Sequence, residues 1–196
     1  MSATNRGAKR VEADFYATPI ECVNSLLDAL PTFDDDIFIL EPSAGNGNII
    51  KALRARGIIG RVIEAIELRE EEREKLVELA DVVTIGNFLE VKPMYLRYDL
   101  IIGNPPYSLA QEFIDKALEL LAPGGRLILL LRLNFFGSKK RFEWWQNKIP
   151  SGVYVLSNRP SFTGKGTDAT EYAWFIWEKT DKPTEKTEFK VIWGRN

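Results

Sequence analysis

The chain has 196 residues, 45% of them hydrophobic and 28% charged, with a formal net charge of −2. These values are typical of a soluble globular protein. It contains no histidine and one cysteine, which excludes Ser-His and Cys-His catalysis and an internal disulfide, and leaves a zinc site unexpected. We therefore predict no metal. The net charge does not indicate global attraction to nucleic acid, although a local basic patch would still allow binding.

The N-terminal residues 1–14 are polar and lack periodicity, which predicts a flexible arm. Thr18 is a plausible N-cap, with Pro19 at the first position of a helix. Predicted helices cover residues 19–30, 48–56, 69–79, 108–121 and 139–148. Predicted strands cover residues 37–41, 61–67, 81–85, 98–103, 126–133, 152–157 and 171–178.

Strands and helices thus alternate along nearly the whole chain, which favours one doubly wound domain with a largely parallel sheet. Pro123-Gly124-Gly125 is predicted to end the fourth helix. Residues 179–196 form a polar tail in which residues 189–193 could add an edge strand. No apolar run approaches the roughly 18 residues needed to span a bilayer and no signal-peptide core is visible, so we expect a cytoplasmic protein.

A glycine loop, residues 42–47, follows the first predicted strand and precedes a helix. Gly45 and Gly47 would let the backbone approach a ligand, but the spacing lacks a third glycine and also suits a simple strand-to-helix turn. Glu41 and Glu67 end the first and second strands. Glu67 lies about 20 positions after the loop, where an acidic residue accepts bonds from ribose hydroxyls. The alternative is a solvated strand end.

Two further polar residues follow strands. Asn87-Phe88 could offer a purine one polar contact and one apolar face, or could be a helix cap and a core phenylalanine. Asn104-Pro105-Pro106-Tyr107 follows the apolar strand 98–103. Ligands bind at the carboxyl ends of strands in open α/β sheets, and two prolines make this turn stiff. The turn suits a planar group with an exocyclic amino nitrogen.

Together these motifs resemble those of the S-adenosylmethionine-dependent amino-methyltransferases that act on adenine in DNA. Residues 104–107 look like the family's catalytic motif, residues 41–47 like its cofactor loop, and residues 15–19 like the segment that covers the methionine end of the cofactor. Their order matches the gamma-type arrangement. Residues 159–166 resemble a loop that folds over a flipped base, as in small phage-encoded enzymes.

The resemblance implies a single Rossmann-like class I methyltransferase domain over residues 15–178, with a mostly parallel seven-stranded sheet and helices on both faces. It implies S-adenosyl-L-methionine as cofactor and double-stranded DNA as partner, inside a bacterial cell. The implied catalytic residues are Asn104, Pro105 and Tyr107. The implied cofactor-binding residues are Tyr16, Thr18, Glu41, Ser43, Gly45, Gly47, Glu67, Asn87, Phe88 and Asn104. The implied substrate-binding residues are Tyr107, Phe162, Lys165, Arg159, Lys139 and Lys140.

Several alternatives stay open. Phe162 could instead pack on the sheet, and residues 139–141 could be a solvated helix start. No separate target-recognition domain is apparent, so the enzyme would read a very short site, methylate broadly or use a partner subunit. The competing functions are methylation of RNA adenine or of protein glutamine, and a non-catalytic module that binds nucleic acid or cofactor.

Overall fold

The computed structural model describes residues 17–162, 169–181 and 184–192. Eight strands in these ranges form one sheet in the order β3-β2-β1-β4-β5-β7-β6-β8. The strands are β1 Phe38–Glu41, β2 Val62–Glu67, β3 Val82–Ile85, β4 Tyr98–Gly103, β5 Leu121–Arg132, β6 Gly152–Leu156, β7 Tyr172–Glu178 and β8 Glu188–Ile192. The α-helices are α1 Ile20–Ala29, α2 Asn48–Ala55, α3 Arg73–Val77, α4 Ala110–Leu120 and α5 Phe142–Asn147.

The sheet is mostly parallel, as the alternation of elements predicted. Strands β1 to β5 pair in parallel with one another. Only β7, which lies between β5 and β6, runs antiparallel to its neighbours. The chain proceeds outward from β1 to β3 and returns to place β4 on the other side of β1. The carboxyl ends of β1 and β4 therefore form a topological switch point, which is the usual place for a ligand in such sheets.

The expected count of seven strands was too low by one, and the eighth is the edge strand that residues 189–193 were expected to allow. The sheet has eight strands because β8 pairs in parallel with β6 along its whole length, from Gly152 opposite Glu188 to Leu156 opposite Ile192.

Helices cover both faces of the sheet. Buried residues of α1, α2 and α3 pack on one face and those of α4 pack on the other, where Trp144 and Trp145 of α5 join them. Successive strand residues alternate between the two cores, since Ile39 and Leu100 belong to the first while Leu40 and Ile101 belong to the second. A sheet buried on both faces explains the continuous apolar run in β5.

Some element boundaries differ from the prediction. The N-cap of α1 is Pro19 and not Thr18, because the Thr18 carbonyl is engaged elsewhere, accepting a bond from Asn48 Nδ2 at 2.9 Å. Strand β5 begins at Leu121, directly after α4, so the Pro-Gly-Gly sequence lies inside the strand, where the register with β4 shifts. Parts of three predicted helices are 3-10 turns, Glu70–Glu72 before α3, Tyr107–Leu109 before α4 and Lys139–Arg141 before α5. None of the described helices has the length and apolarity required to cross a bilayer.

Candidate active site

A cleft lies at the carboxyl ends of β1, β2 and β4. It encloses about 840 Å³ of space, a volume that includes the part open to solvent. Its walls combine the glycine loop, the end of β2 and the residues after β4, including Ser43, Gly45, Glu67, Asn104 and Pro106. The sequence motifs that follow separate strands therefore share one cavity.

The glycine loop is fastened to the end of β2. Gly45, with a φ of +55°, donates its N–H to Glu67 Oε2 at 2.7 Å, and Ala44 N–H donates to the Ile66 carbonyl at 2.9 Å. Gly45 lines the cleft. Gly47 does not; a Cβ there would lie 2.5 Å from the Leu79 side chain, and its φ is +76°. The left-handed φ, which residues with a side chain rarely adopt, explains a glycine at position 47, and Gly47 stays a predicted cofactor residue that does not line the cleft.

Glu67 is buried, which rules out the solvated strand end considered above. Its second oxygen, Oε1, accepts the backbone N–H and the Nε–H of Arg69 at 3.1 and 2.9 Å. Arg69 also pairs with Glu72 at 3.3 Å. A carboxylate offers about four acceptor positions, so Glu67 can receive a ligand hydroxyl while keeping these three bonds. The sequence analysis missed Arg69, although an arginine two residues after a strand-terminal acid was a usable signal.

Glu41 is only 2% exposed and lies in the cleft beside Glu67. Burial raises the pKa of Glu41 well above its ordinary value, and the negative charge of Glu67 raises it further, while a backbone hydrogen bond from Ile50 opposes the shift. Among the described residues, nothing donates a hydrogen bond to Glu41 Oε2. A buried acceptor without a donor is destabilising, so Oε2 is suited to a ligand that carries N–H or O–H groups.

The turn after β4 is joined to the glycine loop. Ser43 Oγ donates to the Asn104 carbonyl at 3.1 Å, and a Cβ on Gly103 would lie 3.2 Å from the Pro42 ring. Pro105 is buried, and Asn104 and Pro106 line the cleft. The predicted catalytic residue Asn104 is therefore held against the predicted cofactor loop.

Tyr107 is partly buried in an aromatic cluster. Its ring packs on Tyr172, with centroids 5.6 Å apart, and the Arg132 guanidinium lies over the Tyr107 ring, 4.7 Å from the centroid. Burial raises the pKa of Tyr107 well above its ordinary value, with Tyr172 adding to the shift and Arg132 opposing it. Arg132 Nε also donates to the Tyr172 hydroxyl at 3.1 Å.

Phe162 packs on the same tyrosine, with its ring centroid 5.1 Å from that of Tyr172, and it contacts the core of the α1 side. Phe162 therefore packs on the sheet, which is the alternative considered for it above. Neither Tyr172 nor Arg132 was predicted as a site residue from the sequence. The usable signal for Arg132 was a cation at the carboxyl end of a buried strand. The predicted residues Tyr16 and Lys165 lie outside the described ranges.

Asn87 and Phe88 line the cleft and also serve local structure. Asn87 Oδ1 accepts the Leu89 N–H at 3.0 Å, and its Nδ2 donates to Glu90 at 2.9 Å. Phe88 is 2% exposed and packs on Phe113 with ring centroids 4.9 Å apart. Asn87 therefore holds a turn and caps no helix, since residues 86–97 contain none, whereas Phe88 is the core phenylalanine of the alternative considered above.

The predicted phosphate-binding cations differ in availability. Lys139 and Lys140 are exposed. Arg159 is also exposed but forms an ion pair with Glu171 at 2.6 Å. Among the described residues, no group of three or more His, Cys, Asp or Glu side chains is arranged to hold a metal ion.

A scan against family models matches none, and a search of curated proteins finds no relative. Solved structures do match. A candidate class I S-adenosylmethionine-dependent methyltransferase from Listeria monocytogenes superposes with a TM-score of 0.69 at 17% identity over 89% of this chain and 65% of its own. The fold is that of class I methyltransferases. The prediction of a Rossmann-like class I domain is thereby confirmed.

Other matching structures are those of nucleic-acid methyltransferases and of restriction enzymes. A candidate RNA methyltransferase from Pyrococcus horikoshii matches with a TM-score of 0.67 at 16% identity over 91% of this chain and 95% of its own. The M protein of the type I restriction enzyme EcoKI matches with a TM-score of 0.65 at 16% identity, over 84% of this chain and 44% of its own. At such identities the likeness establishes the fold and leaves the reaction to be argued from the site.

Proposed function

We propose that this protein transfers a methyl group from S-adenosylmethionine to the exocyclic amino group of adenine in DNA. The observation that carries the proposal is the shared cleft, in which Asn104 of the Asn-Pro-Pro-Tyr turn meets the glycine loop and Glu67. A candidate RNA methyltransferase and a restriction-enzyme M protein are among the structural neighbours, which supports a nucleic acid as the substrate.

The residues present fit the cofactor. Glu67 would hold ribose hydroxyls, the backbone at Ser43 and Gly45 would lie against the ligand, and Glu41 Oε2 would accept from an N–H group. When bound, S-adenosylmethionine supplies an electrophilic methyl group on a sulfonium that leaves as a neutral thioether, so no general acid is needed. That chemistry suits a chain without histidine.

The turn after β4 would prepare the acceptor nitrogen. The amino nitrogen of adenine is a poor nucleophile because its lone pair is delocalised into the ring. The Asn104 side chain and the Pro105 carbonyl would accept its two N–H bonds and favour a more tetrahedral nitrogen. Positioning of the reacting groups in line can lower a barrier by roughly 7–11 kcal/mol.

A base in duplex DNA must leave the stack to reach this turn, which costs a few kcal/mol. Stacking on an aromatic ring returns about 1–3 kcal/mol per base. Tyr107 and Phe162 are the proposed stacking residues. Because Arg132 lies over one face of the Tyr107 ring, a base stacks on that face only after the guanidinium moves.

The test is to incubate the protein with labelled S-adenosylmethionine and, in parallel, genomic DNA, total RNA and a mixed protein extract. Genomic DNA presents every short site, so the target sequence need not be known. Label recovered from DNA as N6-methyl-2′-deoxyadenosine supports the proposal, whereas label found only in RNA or protein contradicts it. Cofactor binding without any transfer would indicate a non-catalytic module or the need for a partner subunit. Adding a protein extract of the source organism to the DNA reaction separates these two, because only a missing partner subunit can be supplied in this way.

A further inference from the structure

The segment from Leu133 to Asn147 lies beside the candidate site. It leaves the sheet at the end of β5, whose Leu129 is paired in parallel with Gly103, the residue before Asn104. Arg132, the last residue of β5, lies over the Tyr107 ring. The segment therefore begins at the same edge of the sheet as the cleft.

Buried aromatic contacts hold this segment on the sheet. The Phe135 ring packs edge-on against Trp144 and Trp145, with centroids 6.0 and 5.4 Å away. Trp144 Nε1 donates to Asp115 of α4 at 2.9 Å, and the Arg141 guanidinium donates to the Phe135 carbonyl at 2.8 and 3.1 Å. The segment is thus a folded platform with its own packing.

Two phenylalanines on this platform are not explained by that packing. Phe142 is 64% exposed and Phe136 is 42% exposed, although Phe136 also touches Trp145, 4.8 Å away. Exposed apolar side chains mark an interaction surface where they lie together and not where they occur singly, and Phe136 and Phe142 both lie on this one short segment. Lys139 and Lys140, between them in sequence, are exposed and in no ion pair with any residue that the structure describes.

The local charge indicates the partner. Residues 133–147 contain three cations and one acid, Glu143, whereas the whole chain has a net charge of −2. Cations interleaved with exposed aromatic rings suit a polyanion that also offers flat bases, since lysines contact phosphates and rings stack on bases. A protein partner would not offer a row of phosphates together with flat bases.

We propose that Phe136, Lys139, Lys140 and Phe142 form a nucleic-acid contact surface beside the cleft, with the lysines on phosphates and Phe142 on a base next to the one being methylated. We call these four residues the aromatic-basic surface. The choice of DNA as the nucleic acid rests on the proposed function. The surface supplies binding outside the cleft in a chain without an apparent recognition domain.

The test measures binding of a fluorescent adenine-containing duplex by anisotropy across a salt series, using the full chain. Phe142→Ala should weaken binding about 5- to 150-fold, the equivalent of one lost base–aromatic stack, without changing the salt slope. The double variant Lys139→Ala/Lys140→Ala should lower the slope of log K against log salt by about 0.9 per lost phosphate contact.

Matched controls are Phe189→Ala, at a residue 66% exposed on β8, and the double variant Lys51→Ala/Lys186→Ala, at exposed lysines outside the surface. Cofactor affinity, measured by calorimetry, should be the same in all variants, which shows that they are folded. Binding by Phe142→Ala equal to that by Phe189→Ala overturns the aromatic-basic surface, even if DNA methylation is found. If the protein binds and methylates RNA instead, and Phe142→Ala weakens RNA binding, the surface stands while the proposed DNA substrate fails.

Discussion

Different interactions stabilise the two sides of the cleft. On the cofactor side, Gly45 and Arg69 donate directional hydrogen bonds of 2.7–3.1 Å to the carboxylate of Glu67. On the acceptor side, Tyr107 and Phe162 pack against Tyr172, with ring centroids 5.6 and 5.1 Å away. Hydrogen bonds fix one geometry, whereas ring contacts tolerate several offset and tilted arrangements.

This difference indicates a division of labour. The cofactor side has a defined shape before any ligand arrives, which is what preorganised binding requires. The acceptor side has rings that occupy one another and an Arg132 guanidinium over Tyr107. We expect the acceptor side to rearrange when a base enters, while the cofactor side stays as it is. The following variants test that contrast.

Asn104→Ala should have the largest effect because Asn104 lies where the two sides meet. Loss of an acceptor that acts on the reacting nitrogen should lower kcat by about 100- to 1000-fold, by analogy with the removal of one donor from an oxyanion hole. Cofactor affinity measured by calorimetry should change little. The assigned role is wrong if the variant keeps wild-type turnover, or if cofactor binding and transfer are lost together.

Glu67→Ala should damage the cofactor side. The variant removes the acceptor for Gly45 N–H and for Arg69, and hydrogen bonds to charged groups contribute about 1.5–3 kcal/mol each. We expect the Kd for S-adenosylmethionine to rise by one to two orders of magnitude, on the order of the loss of one such bond to the ligand. Glu70→Ala, at an exposed residue paired with Arg73, is the control and should bind normally. Equal affinities in the two variants would return Glu67 to a purely structural role.

Tyr172→Phe should act on the acceptor side alone. It keeps the ring that packs on Tyr107 but removes the hydroxyl that accepts a hydrogen bond from Arg132 Nε. The loss of a neutral hydrogen bond, about 1 kcal/mol, predicts a several-fold change in kcat or in KM for the nucleic acid. Cofactor Kd should be unaffected. The control is Tyr154→Phe, whose hydroxyl bonds with Glu188 and Lys190 near β8. An equal effect of both variants on turnover would show that Tyr172 acts only through general stability.

The sequence predicted the fold well because helical and strand periodicities are local properties. It also predicted that Glu41, Glu67 and Asn104 would meet, since the ends of parallel strands meet at one edge of a sheet. Contacts set by register were not predictable. Arg132 and Tyr172 lie opposite each other in β5 and β7, and this pairing brings both to Tyr107.

Glu41→Gln should give a smaller effect, seen in stability, and tests whether the cofactor side is formed at the expense of folding free energy. Burial and the charge of Glu67 raise the pKa of Glu41 in the folded protein above its ordinary value of 4.5. In this situation the folded state holds the proton more tightly than the unfolded state, so stability falls as pH rises above about 4.5. The fall ends once the pH exceeds the raised pKa, where both states are ionised.

Glutamine cannot ionise, so the variant lacks this loss of stability. The difference in Tm between Glu41→Gln and the wild-type protein should therefore be small in acid, widen as pH rises, and then become constant. Thermal unfolding without cofactor across this pH range measures it, with Glu70→Gln as the exposed control. Parallel Tm curves for the wild type and Glu41→Gln would contradict the raised pKa. A widening gap combined with weaker S-adenosylmethionine binding by Glu41→Gln would show that the same buried carboxyl group lowers stability and contributes to the ligand site.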